Sequence, residues 1–567
     1  MIRFRQRIKE LCGNKKLLFI CGLNILLVLA VLCFFIPLYE TDDDFTLGVI
    51  ASGNFGREYM QYLIYSNVLY GYVLKFLGIV FGGVNWFIVM QYLLLTAAVI
   101  SIFYVTTFYV PVHVAVFANL IFWYAGFFEL IQRIQYTRTA ALLVIAGFLL
   151  IWNAAEFPGK ARNILGIVLC VCGACLRFNC FALCAVFFCP LLFLFCFSKE
   201  GFRKTVFKKY VIRLSVLFCI AGLLMASDFI CYSMNEEWSY YKDYNDARTQ
   251  LLDFGIPSFQ ENKERYEEIG FSENDMELLS NWVLADYDKF NYEDLKKIAS
   301  WKEKPKITLL LIKQFVKEFL AQKHSVLVLD LWLALAVAAL LGNNRCRIYV
   351  IVNAGLLLGE YFYLFYIGRT LPRVEYGILW SAVLSLAACL LNDYGKREPV
   401  SVYNSKKYIA GMLIFVLLFM GNDYMSNYRD YHRGIKEKKW EKQGQILESL
   451  SENKDNVYLL DPFSFSDTCS YYTPYRKVPS YYQSNFYFMG GWTSGSPLNK
   501  SLLRKLGLEN PMSDLIHKEN VYYVKAAEFG MERELLFLQE NYDRDIEIQV
   551  ADSVNGYNIY KFSGDKE

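Results

Sequence analysis

Histidine is scarce in this chain: four in 567 residues (His113, His324, His432 and His517), and no two stand at metal-ligand spacing. Cys170-x-Cys172-x-x-Cys175 has neither a matching second pair nor a nearby histidine, so a structural zinc site is not expected. No G-x-x-x-x-G-K-[ST] occurs, which rules out a P-loop nucleotide hydrolase. Net charge is only +3, so no nucleic-acid partner is indicated. Internal repeats and low-complexity tracts are lacking. A small-residue cleavage site is missing after the first apolar run, which ends in Pro37-Leu38-Tyr39-Glu40; a removable signal peptide is therefore not expected.

What the chain has is apolar sequence. It is 55% hydrophobic and 17% aromatic, with a mean hydropathy of +0.25. The apolar residues gather in runs that reach membrane-spanning length. Eleven spans are expected, near 17–38, 86–110, 113–131, 137–152, 162–178, 180–198, 211–232, 325–341, 347–367, 374–391 and 408–424. Fifteen cysteines do not signal disulfides: Cys170, Cys172, Cys175, Cys180, Cys184, Cys189 and Cys196 fall in or beside two of these runs, where they act as small apolar residues.

Basic residues set the direction. Arg3, Arg5, Arg7, Lys9, Lys15 and Lys16 precede the first span against one acid, Glu10. With that end in the cytoplasm, Lys160 and Arg162, then Lys199–Lys209, Arg345 and Arg347, and finally Lys396–Lys407 all fall inside. This agreement requires Leu63–Gly82 and the amphipathic Ile307–Lys323 to lie at the interface rather than cross.

The expected fold is an α-helical polytopic membrane protein of about eleven transmembrane helices with a small extracytoplasmic α/β C-terminal domain. Residues 1–424 form the membrane domain, with outer loops at 39–85 and 233–306; residues 425–567 form the outer domain. Within the latter, Gln443–Leu450 and Arg533–Tyr542 read as helices, and Val457–Leu460 and Val521–Lys525 as buried strands.

Charged residues near the membrane gather toward the outer side: Asp228, Asp330 and Glu360 in spans, and Glu129, Arg133, Arg138, Arg177, Arg369, Arg373 and Glu375 in short turns. Arg133 and Arg138 read equally well as snorkelling helix-end residues. The densest motif is Glu40-Thr41-Asp42-Asp43-Asp44-Phe45, directly after the first span. Adjacent carboxylates repel, so they need a cation, arginines or full solvation. A general base, a divalent-metal site and a plain acidic cap all remain open. Arg369 and Arg373 in the turn Gly368–Arg373 offer planar forks suited to a lipid phosphate or to ordinary anionic headgroups, and Arg177 is a third such contact. Gly490–Pro497 reads as a structural turn, with Trp492 as a saccharide platform in the alternative reading.

Taken together, the acidic first-loop motif, the interfacial segments before the second span and the outer C-terminal domain resemble the GT-C class of membrane glycosyltransferases. More closely, the chain resembles a group of bacterial polytopic membrane proteins whose first loop reads E-T-N-D-D-[FG]; here Asp42 replaces the Asn. That likeness continues through Tyr244–Arg248, Asp253–Pro257, Ile269–Asp275, Gly368-Arg369 and Arg373. The resemblance implies a cell-membrane enzyme moving a sugar from a polyprenyl-phosphate donor to a cell-envelope glycan or lipid acceptor. Asp43 or Asp44 would be the base, Arg369, Arg373 and Arg177 would hold the lipid phosphate, and Asp42 and Glu360 would support them. Mg²⁺ or Mn²⁺ at Asp43 and Asp44 is a further possibility of the class. A flippase of lipid-linked saccharide and a non-catalytic envelope scaffold are the rival readings.

Overall fold

The structure is a computed structural model that describes residues 15–56, 58–198, 201–302, 305–321, 326–394, 439–466, 468–474, 478–479 and 481–564. The expected span at 408–424 lies outside the described residues. Among them, seven helices are long and apolar enough to cross a membrane: Lys15–Phe34, Trp86–Thr106, Val112–Gln132, Tyr136–Glu156, Lys204–Ser233, Asn344–Tyr366 and the helix beginning at Pro372. At 1.5 Å per residue, their 20 to 30 residues match the roughly 30 Å hydrocarbon thickness. Shorter apolar helices occupy Lys160–Leu176, Phe178–Leu194 and Val326–Leu340. The chain is thus a helical, polytopic membrane protein with a sheet-containing C-terminal unit.

Burial distinguishes the helices. Lys15–Phe34 exposes Leu18, Phe19, Leu26 and Phe34, as a lipid-facing helix does, whereas Tyr136–Glu156 is buried along nearly its whole length. That central helix packs against Lys160–Leu176 at backbone contact. A Cβ on Gly147 would lie 2.5 Å from the Gly166 carbonyl, and one on Gly173 would lie 2.7 Å from that of Ala140. Small residues permit this approach, the usual device of helices that lack a hydrophobic drive to associate. The cysteines serve the same packing: Cys170, Cys180 and Cys184 turn their thiols to the carbonyls of Val144, Thr137 and Ala141.

The two segments expected at the interface form helices, Val68–Val80 and Leu309–Ala321. The first is fixed at its start by Asn67, whose side chain accepts from Leu69 N, and by Asp228, which accepts from Val68 N at 2.7 Å.

Strand β1 (Leu38–Tyr39) pairs in parallel with β2 (Arg133–Ile134), and Glu40 N donates to Ile134 O. This short ladder places the acidic motif against the start of the central helix. The motif itself opens a helix, Asp42–Ala51, whose first turn carries Asp42, Asp43 and Asp44, where acids suit the helix dipole.

In the C-terminal unit, β3 (Val457–Leu460), β4 (Phe486–Phe488), β5 (Val521–Ala526), β6 (Glu547–Val554) and β7 (Tyr557–Ser563) form a sheet ordered β4-β3-β5-β7-β6. Pairing is parallel for β4-β3-β5 and antiparallel for β5-β7-β6. Helices Lys439–Glu452 and Glu532–Asn541 accompany it. The segment 233–302 packs against this unit. Asn274 donates to Arg533 O, Arg533 pairs with Glu277, and Lys289 reaches both Asp275 and Asn541. Phe45 of the first-loop helix stacks on Tyr472, with ring centroids 5.4 Å apart.

Candidate functional site

The three aspartates of the first-loop helix point in different directions. Asp44 is fully buried, where its carboxylate accepts from Tyr136 N (2.8 Å), Thr41 Oγ1 (3.3 Å) and Gln91 Nε2 (3.4 Å). Burial pushes its carboxyl well above the usual carboxylate range. Asp43 keeps about a fifth of its side chain exposed and lies 3.4 Å from Arg373 Nη2. Asp42 is exposed and, with Asp43, lines a cavity of about 440 Å³. That cavity lies between the first-loop helix, Trp282 and the C-terminal unit, whose wall includes Tyr482, Tyr487 and Trp492.

Arginines gather on the other side of Asp43. Gly368 takes a left-handed φ of 72°, and Arg369 N returns to Leu364 O, closing the helix Asn344–Tyr366 with a Schellman-type turn. This turn directs Arg369 onto Asp253 (2.9 Å) and over the Phe254 ring. Arg373 stands in the first turn of the next helix, Pro372–Tyr394. Arg177 is the single residue between helices Lys160–Leu176 and Phe178–Leu194. It donates to Tyr136 Oη at 2.8 Å and lies over the Tyr65 ring. Ser66 and Asn67 fix Tyr65 beside it by donating to the carbonyls of Leu176 and Cys175. Ile64, immediately before, has a φ of 63°, which a β-branched residue rarely adopts.

A fourth guanidinium, Arg248, had no role in the sequence reading. It is 1% exposed, hydrogen-bonds Asn245 and the Tyr65 hydroxyl, and lies over the Trp282 ring. Among the described residues, neither Arg177 nor Arg248 has a carboxylate at ion-pair distance, and Arg248 Nη1 has no hydrogen-bond partner. An uncompensated buried charge is costly, so this corner of the site favours an anion. The only advance signal was Arg248's place in the Tyr244–Arg248 motif.

Two candidate residues stand apart from the aspartates. Arg138 does not snorkel: it is buried between Glu40 (2.8 Å) and Glu129 (3.2 Å), with its guanidinium over Tyr376, because the β1–β2 ladder carries Glu40 to it. Glu360 does not join the aspartates. It sits within the helix Asn344–Tyr366 near Cys184, away from the cavity lining, and its Oε2 has no hydrogen-bond partner among the described residues. The Gly490–Pro497 turn is both a turn and a wall: Gly490 admits the Trp282 carbonyl where a Cβ would overlap it, and Trp492 faces the cavity.

The donor set does not suit a divalent cation. No three His, Cys, Asp or Glu side chains converge among the described residues. Asp44 turns its oxygens to N–H and O–H donors, and Asp43 faces a guanidinium.

No family model and no curated protein matches the chain. Among solved structures, it is similar to the archaeal oligosaccharyltransferase AglB from Archaeoglobus fulgidus, in complex with an inhibitory peptide and a dolichol-phosphate. The similarity covers 93% of this chain and 72% of that one, at 11% sequence identity and a TM-score of 0.42. A likeness this distant carries no assignment.

Proposed function

We propose that the protein is a membrane glycosyltransferase that moves a sugar from a polyprenyl-phosphate donor to a cell-envelope acceptor at the outer face of the membrane. The observation that carries this reading is the place of Asp43. It lies between arginines on one side and, on the other, an aromatic cavity that no Lys or Arg lines. A general base must reach the acceptor hydroxyl while that oxygen faces the anomeric carbon, and a carboxylate between the two regions suits that need.

The lipid phosphate sits among Arg369, Arg373 and Arg177, with Arg248 behind Tyr65. As the acceptor oxygen attacks the anomeric carbon, its proton passes to Asp43. The bond from that carbon to the phosphate oxygen breaks, and the electron pair leaves with the phosphate. Guanidiniums already in place stabilise that growing charge without reorganisation. Asp42 borders the acceptor side. Asp44 is a positioning residue: its three hydrogen bonds hold the first turn of the helix that carries Asp43.

The test is transfer of labelled sugar by purified protein in lipid nanodiscs, with polyprenyl-phosphate sugars and water-soluble nucleotide sugars as alternative donors. Turnover with the lipid donors alone is expected. Turnover with nucleotide sugars alone, or with neither class, would remove the reading.

A further inference from the structure

We infer that the cavity beside Asp43 binds a neutral saccharide, and that this saccharide is the acceptor. The word acceptor rests on the function proposed above; the binding site does not.

Its lining has a particular chemistry. Trp282, Trp492, Tyr482 and Tyr487 supply aromatic surface, and Asn281 and Gln483 supply neutral amides. No Lys or Arg lines it, and its acids, Asp42 and Asp43, stand together on the first-loop helix. An anionic ligand therefore finds no counter-charge here, in contrast to the arginine side of Asp43. A sugar ring presents apolar C–H faces and hydroxyls that both donate and accept. Aromatic faces and amides match the two halves of that chemistry. The volume, about 440 Å³, falls within the roughly 300–1,000 Å³ of small-molecule sites.

Two features show that this wall is built rather than incidental. Of the four non-glycine residues with left-handed backbone among the described residues, Trp282 (φ 63°) and Gln483 (φ 56°) both line the cavity. Such conformations persist only where the surroundings over-determine them, and they cluster at ligand sites. Gln483 is also buried with its side-chain oxygen unpartnered among the described residues. An extended peptide is disfavoured for a separate reason. Strand β4 ends the sheet, but the chain just beyond it is already paired: Val283 bridges Gly490, and Leu284 N donates to Met489 O at 2.9 Å. The edge that would accept another strand is closed there.

The experiment is equilibrium binding of cellotriose, chitotriose and a neutral hexapeptide to the full chain in nanodiscs, followed by tryptophan fluorescence and by calorimetry, with no donor present. Saturable binding of at least one trisaccharide, and not of the peptide, is expected. Trp492→Ala should weaken that binding by about tenfold, and Trp492→Phe should restore most of it. A thermal melt matching the wild type separates a lost platform from a lost fold, and Gln483→Ala provides a second variant. Peptide binding in place of saccharide, no trisaccharide binding at all, or saccharide binding that both variants leave intact would overturn the inference. Saccharide binding without any sugar transfer would leave the site standing and remove the enzyme reading. Transfer that is insensitive to Trp492→Ala and Gln483→Ala would do the reverse.

Discussion

Asp43 and Arg373 face one another across 3.4 Å, joining the helix Asp42–Ala51 to the first turn of the helix Pro372–Tyr394. With both side chains only about a fifth exposed, the desolvation of the two charges offsets much of their attraction, so the pair's net contribution to folding is small. Its worth lies in where it holds the carboxylate. Arg373→Gln should leave the melting temperature within a few degrees of wild type and lower sugar transfer by about 10²–10³-fold, the usual cost of one charge-stabilising donor. Turnover against thermal stability for the purified variant checks this; a large loss of stability with turnover retained would contradict it.

Arg177 and Arg248 converge on Tyr65 with no carboxylate at ion-pair distance among the described residues. A ligand that supplies the missing anion binds the folded state alone and stabilises it by mass action, about 2.7 kcal/mol at a hundred times its dissociation constant. Polyprenyl phosphate should therefore raise the melting temperature, whereas the uncharged polyprenol should not. Arg177→Gln should remove most of the rise. Equal stabilisation by both lipids would show that the chain, not the phosphate, is what the protein recognises.

Burial outweighs Arg138 at Glu40 and lifts its carboxyl from 4.5 to about 7. Between those values the folded protein holds a proton that the unfolded chain has released. The contribution is thus fully present below about pH 4.5 and lost as pH rises through 7. Glu40→Gln keeps the neutral form at every pH. Its stability should fall less steeply than that of wild type from pH 4.5 to 7, by up to about 3 kcal/mol across the window. Melts of the two proteins in matched buffers test this, and parallel curves would refute it.

The central helix touches its neighbour through glycine. Gly173→Val places branched carbons against the Ala140 carbonyl and the Val144 side chain, where a single Cβ is already too close. Overpacking of this kind costs about 1–3 kcal/mol or more. The expected outcome is a lower melting temperature and a smaller folded fraction by size-exclusion chromatography in detergent. An unchanged profile would mean that the helices separate more easily than the packing implies.

The spans were legible because an apolar run long enough to cross a bilayer is a local property, as Lys15–Phe34 and Trp86–Thr106 show. The helix Leu309–Ala321 was legible from its own residues too, with Lys313 and Lys317 interrupting an apolar face. Strands such as Val457–Leu460 announced themselves by short β-branched and aromatic runs between polar turns. The acidic motif was visible, but not the division of labour within it: Asp44 is withdrawn by Tyr136 N and Gln91, residues far along the chain. Arg138 and Arg248 were unreadable for a related cause. Glu40 comes to the first through a two-residue ladder, and Tyr65 and Trp282 come to the second through tertiary packing, neither of which leaves a periodic trace. Trp492 looked like part of a turn because its glycines are one, and only the approach of Trp282 makes that turn a cavity wall.

The most direct test compares Asp43→Asn with Asp44→Asn in the transfer assay with a polyprenyl-phosphate sugar. A buried Asp44 pushed toward its neutral form is mimicked by an amide, whose oxygen accepts from Tyr136 and Gln91 while its nitrogen donates to Thr41. Asp44→Asn is expected to fold and keep measurable turnover, whereas Asp43→Asn should fold equally well and lose it. Turnover that survives Asp43→Asn but not Asp44→Asn would contradict the account.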